Sequence, residues 1–129
     1  MGFGAAAAVC SYCLAACNSA NGVDGPPTNV DFTLDLTAAA NAALKTNGGY
    51  VYDNRLIIAR INDGSYVALS QTCTHAGGTV QYVLNGNLFY CPNHGSRFAT
   101  NGSVINGPAT TSLAKYNTTL TGTSLRIFS

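Results

Sequence analysis

Residues 73–96 read CTHAGGTVQYVLNGNLFYCPNHGS, and this stretch holds both histidines of the chain and two of its five cysteines. They fall as Cys73-Thr-His75 and Cys91-Pro-Asn-His94, with fifteen residues between His75 and Cys91. Inside that interval Gln81-Tyr-Val-Leu84 and Leu88-Phe-Tyr90 flank Asn85-Gly86-Asn87, an Asn-Gly turn between two β-prone runs. A hairpin returns its ends to one place, so the two Cys/His pairs are expected to face each other at one tip of a β domain.

The same grammar continues outward. Val30, Phe32, Leu34 and Leu36 alternate with polar residues, the period of a half-buried strand. Arg55–Ile61 is a strong strand, and Asn62-Asp63-Gly64 turns it back into Ser65–Ser70. Asn101-Gly102 separates Arg97-Phe98-Ala99 from Ser103-Val-Ile105, and Thr121-Gly122-Thr123 joins Leu113–Leu120 to Ser124–Phe128. The Ala-rich Thr37–Lys45 predicts one or two helical turns, stopped by Asn47-Gly48-Gly49. Short strands with turns every eight to twelve residues predict an all-β, antiparallel domain. No internal repeat interrupts the pattern.

At 129 residues there is room for one compact domain. Charged residues are 9 % of the chain against roughly 25 % in ordinary soluble domains, and the formal net charge is +1. The six Lys and Arg are scattered, so no basic patch argues for nucleic acid.

The charge deficit is concentrated in the first residues, where Asp24 is the first charged side chain. Gly2–Ala16 reads GFGAAAAVCSYCLAA, short of the roughly 20 residues of a spanning helix and suited to a signal h-region. It ends in Leu14-Ala15-Ala16-Cys17, which resembles the lipobox of bacterial lipoproteins. That resemblance implies cleavage before Cys17 and acylation of its thiol, with residues 1–17 acting as signal or apolar anchor. Asn18–Asn29, NSANGVDGPPTN, reads as a flexible linker, and the domain is expected over 30–129. Removal of the signal would leave Cys73 and Cys91 as the two free thiols.

Clustered Cys and His in facing loops are metal-ligand chemistry. A tetrahedral zinc site uses these donors, although structural zinc knuckles more often pair two Cys in one element. A [2Fe–2S] cluster can instead take two thiolates on one iron and two imidazoles on the other. Cys-Thr-His-x-Gly, fifteen residues from the first histidine to the second cysteine, and Cys-Pro-x-His-Gly-Ser resemble the Rieske iron–sulfur family. Gly107-Pro108-Ala109 resembles the proline loop that covers the cluster there, and the likeness spans roughly Val51 to Phe128.

This resemblance implies stacked small antiparallel sheets, with two cluster-binding loops and a proline loop at one tip. It assigns Cys73 and Cys91 to the inner iron and His75 and His94 to the outer one. Two neutral imidazoles in place of thiolates remove two negative charges, so the centre takes an electron more readily, in a range of about −150 to +300 mV. Each imidazole also has a second nitrogen that can carry a proton, which couples proton uptake to reduction.

Quinol-oxidising members carry one extra Cys per loop, joined in a disulfide; here the corresponding positions are Gly78 and Asn93. Ser96 stands where the family's serine donates a hydrogen bond to a bridging sulfide, and Phe98 replaces a tyrosine that would reach a ligand sulfur. With one of two tuning bonds kept, an intermediate potential is expected. The implied function is one-electron transfer by a membrane-tethered carrier or subunit, not catalytic alone, in the bacterial envelope and facing outward. Its partner would be a cytochrome or larger oxidoreductase. The competing readings are the iron–sulfur subunit of a quinol:cytochrome c reductase, a ferredoxin for an oxygenase or nitrite reductase, and a non-redox zinc module.

Overall fold

A computed structural model describes residues 25–74 and 77–129. The expected signal, Cys17 and the first part of the linker lie outside these residues, as does His75. Ten strands follow in order: β1 (Asp31–Asp35), β2 (Tyr50–Asp53), β3 (Leu56–Arg60), β4 (Tyr66–Ser70), β5 (Gln81–Val83), β6 (Leu88–Tyr90), β7 (Arg97–Phe98), β8 (Val104–Asn106), β9 (Lys115–Thr121) and β10 (Ser124–Phe128). A short 3₁₀ helix, Ala39–Lys45, lies between β1 and β2 and buries Leu44 completely.

Every paired strand is antiparallel, as the turn pattern predicts. The strands form a six-stranded sheet ordered β1-β10-β9-β4-β3-β2 and a four-stranded sheet ordered β5-β6-β7-β8. Hairpins build most of both sheets, but the pairing of β1 with β10, Asp31 opposite Phe128, closes the first strand onto the last.

β3 shows why the layers stack as they do. All of its residues but Arg60 are fully buried, and they alternate between two cores. Leu56 and Ile58 pack with Leu34, Leu44, Ala68, Leu125 and Ile127. Ile57 and Ala59 pack with Val67 and Leu69 of β4 and with Tyr82, Phe89 and Phe98 from the small sheet. A strand whose two faces both meet apolar layers reads as a continuous apolar run, which LIIA is. Each large side chain buried here contributes about 1.5–3 kcal/mol. The second core ends on two thiols, because Cys73 and Cys91 belong to it.

The structure departs from the sequence-based map at β2, which the neighbouring turn residues conceal. It is an edge strand joined to β3 by Asn54 and Arg55 at φ +52° and +64°. Two consecutive positive φ values make the primed hairpin turn that glycine usually serves. Arg55, expected in a strand, is therefore in a turn, and its guanidinium donates to the Gly25 carbonyl at 3.1 Å. Residues 25–29 lie against the domain, with the Tyr116 hydroxyl donating to the Pro27 carbonyl at 2.6 Å.

Candidate metal centre

Three loops gather at the end of the small sheet where β5 begins and β6 and β8 end. The first follows β4, the second follows β6, and the third follows β8. The first two share one backbone plan. Cys73 N–H donates to the Gly78 carbonyl at 2.6 Å, and Gly77 N–H returns to the Cys73 carbonyl at 3.0 Å. Cys91 N–H donates to the Ser96 carbonyl and Gly95 N–H returns to the Cys91 carbonyl, both at 2.9 Å. Gly77 and Gly95, each four residues after its cysteine, have φ of +74° and +85°. A glycine at these points lets the chain turn over the thiol without a Cβ penalty. The repeated Cys-x-x-x-Gly spacing signalled this equivalence in the sequence.

Both cysteine thiols are buried, Cys73 at 3 % and Cys91 at 1 % exposure, and they lie within hydrogen-bonding reach of one another. Burial pushes the Cys91 thiol up, the Cys73 side chain adds to that, and the backbone N–H groups of Asn93 and His94 pull it down. Those amides are directed at the sulfur, so the chain offers donors to a thiolate at a place where apolar burial disfavours one. His94, on the same loop, is exposed. The structure thus brings Cys73, Cys91 and His94 to one tip with sulfur inside and imidazole outside. Among the described residues no three His, Cys, Asp or Glu side chains converge tightly on a single metal-ion position.

Ser96 is completely buried, and its Oγ accepts a 2.9 Å hydrogen bond from the Ala109 N–H. This ties the second loop to the third, which contains the cis Gly107–Pro108 peptide. The hydroxyl keeps its own proton, a buried donor available to a further acceptor. Phe98 is fully buried opposite Phe89 in the core.

Two supports escaped the sequence reading. The Asn106 amide donates to the Gly95 and Gly107 carbonyls at 3.4 and 3.0 Å, and the Thr74 hydroxyl donates to the Thr111 carbonyl at 2.6 Å. Neither residue type announces such a role, because the partners are distant or set by the loop fold. Gly78 and Asn93, the positions matched to the absent disulfide, lie side by side.

A family profile for the Rieske [2Fe–2S] domain matches residues 35–117. A cytochrome b6-f complex iron-sulfur subunit from Synechococcus sp. (strain JA-2-3B'a(2-13)) is 36 % identical over 102 residues, covering 79 % of this chain and 58 % of that protein. The chain therefore spans little more than half the length of this relative. Among solved structures, the cyanobacterial plasma membrane Rieske protein PetC3 from Synechocystis PCC 6803 is 32 % identical with a TM-score of 0.58, covering 68 % of this chain and 93 % of that one. The ferredoxin of carbazole 1,9a-dioxygenase from Nocardioides aromaticivorans IC177 superposes with a TM-score of 0.62 at 19 % identity, covering 79 % of this chain and 98 % of that one, a likeness of fold. The buried thiol pair, the amides aimed at sulfur and the exposed imidazole fit the same cofactor. This chain belongs to the Rieske [2Fe–2S] family, and its cofactor is a [2Fe–2S] cluster.

Proposed function

We propose that Cys73 and Cys91 hold one iron as thiolates while His75 and His94 hold the other as neutral imidazoles, and that the chain works as a one-electron carrier. The observation that supports this best is the burial asymmetry, two shielded thiols against an exposed His94 on the same tip. When bound, the cluster accepts and releases one electron. The chain's part is to keep water from the sulfur side, to present imidazole edges to a partner, and to exchange a proton at the outer nitrogens of His75 and His94. Ser96 supplies a hydroxyl donor to the cluster, and Gly107 and Pro108 form the covering loop.

Iron, acid-labile sulfide and EPR measurements on anaerobically purified protein test this reading. It expects two irons and two sulfides per chain and a reduced-state signal that disappears in Cys73→Ser and Cys91→Ser. Colourless protein with zinc, or cysteine variants that keep full iron and sulfide, would refute it.

The domain, residues 30–129, is tethered to a membrane in the bacterial envelope through acylated Cys17 and linker 18–29. The Leu14-Ala15-Ala16-Cys17 stretch supports this, as does the likeness to a protein described as a plasma membrane Rieske protein. Among the described residues no helix is long and apolar enough to cross a membrane. A mature N-terminus at Cys17 with the mass of added lipid, and release of Cys17→Ser from the membrane fraction, are the expected results. The carrier's partner is a cytochrome or larger oxidoreductase. A second reading, a subunit of a cytochrome complex, is favoured by the 36 % identical relative of that description. Stable co-purification with haem-bearing subunits separates it from a free carrier.

A further inference from the structure

The two Cys/His loops are each closed by their own backbone hydrogen bonds. Among the described residues no backbone hydrogen bond runs from residues 73–78 to residues 91–96. Their outside ties both run to the third loop, the first loop reaching Thr111 through Thr74 and the second reaching Ala109 through Ser96, so neither tie joins the two loops directly. A cofactor ligated from both loops needs them at a fixed separation, so what sets it matters.

Gly78 answers that question by its surroundings. Gly77 has φ +74° and open space where a Cβ would go, so glycine there serves the backbone. Gly78 has no positive φ, yet a Cβ on it would lie 2.5 Å from Asn93 Nδ2, 2.7 Å from Cγ and 3.1 Å from Oδ1. All three amide atoms are near one point, so the flat face of the Asn93 side chain rests on the Gly78 backbone. Glycine at 78 is there to make room. The seated residue also directs its own backbone N–H at the Cys91 sulfur.

We propose that Asn93 is a positioning residue that braces the two ligand loops non-covalently, its amide seated in the notch left by Gly78. This rests on the assignment of Cys73, Cys91 and His94 as ligands. The brace sets loop spacing and the direction of the Asn93 N–H, and hence how firmly the cluster is held and how its electrons are tuned.

A double-mutant cycle on the cluster-loaded protein tests it, read as the rate of visible bleaching under chelator and as the midpoint potential. Asn93→Ala and Gly78→Ala should each speed bleaching about three-fold or more and shift the potential. In the Asn93→Ala background, Gly78→Ala should add almost nothing, because the clash it creates is gone. Additive effects, or single variants that leave both readouts unchanged, would overturn the brace. A second test needs no cluster. Asn93 Cβ is one carbon–carbon bond of ~1.5 Å from its Cγ, which puts it at most about 4.2 Å from a Gly78 Cβ. That falls within the ~3.5–4.5 Å of a disulfide. Gly78→Cys/Asn93→Cys should lose both new thiols on oxidation, by mass, and the oxidised loaded form should bleach no faster than the parent. Persistent free thiols would refute the juxtaposition. If the ligand assignment itself is wrong, Cys91→Ser keeps its iron and sulfide, whereas failure of the brace alone leaves that variant empty.

Discussion

Replacing Ser96 by alanine separates two jobs held by one oxygen. The side chain is 0 % exposed and its Oγ accepts from the Ala109 N–H at 2.9 Å. Without it, a backbone donor is left unsatisfied inside the protein, at about 1–3 kcal/mol. For a domain near 100 residues, each kcal/mol moves Tm by roughly 4–8 °C, so a fall of about 5–20 °C is expected. The second job uses the hydroxyl's own proton. A hydrogen bond to a sulfur that gains negative charge on reduction favours the reduced state by about 1.5–3 kcal/mol. With about 59 mV per 1.4 kcal/mol for one electron, Ser96→Ala should lower the midpoint potential by roughly 60–130 mV. Spectroelectrochemical titration and thermal unfolding of the same loaded preparation read both effects. Ser96→Cys, with a weaker donor of similar size, should fall between. An unchanged potential with a lowered Tm would confine Ser96 to holding the third loop and refute its tuning role, and an unchanged Tm would refute the Ala109 bond.

Phe98→Ala should cost about 3–5 kcal/mol by denaturant titration, because the ring is fully buried opposite Phe89; a loss below 1 kcal/mol would mean that the site collapses freely. Tyr52→Phe removes a 2.7 Å bond to the Val80 carbonyl, about 1 kcal/mol at neutral pH. Burial holds the Tyr52 hydroxyl up to about 12, above its unfolded value near 10. Its stabilisation is therefore complete below about pH 10 and lost as pH rises towards 12, so the variant should show a flatter alkaline limb in urea titrations at pH 8 and 11. Asp31 is held below the usual carboxylate range by its hydrogen bond with Arg126. A lowered pKa contributes above the unfolded value near 4 and is lost below it. Asp31→Asn should weaken that acid dependence slightly, and high salt should erase the difference, since both groups are exposed.

Much of the site is legible because its determinants are local. The Cys/His spacing, the Asn85-Gly86 hairpin that folds Cys73 and Cys91 together and the glycine four residues after each cysteine all act within a short stretch of chain. The strand map succeeds at Arg55–Ile61 and Ser65–Ser70 for the same reason, with the strand itself starting at Leu56. It fails at Tyr50–Asp53 because turn residues on both sides hide a short edge strand, and at Arg55 because a positive φ is the last thing an arginine announces.

The all-β class, the hairpin pairing of neighbouring strands and the meeting of Cys73 with Cys91 were already written in local sequence. Only the tertiary structure decided that β1 closes against β10, that β3 divides its side chains between two cores, that Ser96 holds Ala109 and that Asn93 rests on Gly78. Ligand chemistry and turn preferences are properties of a residue and its immediate neighbours. A hydrogen bond or a filled notch between segments far apart along the chain exists only after packing has chosen which surfaces meet.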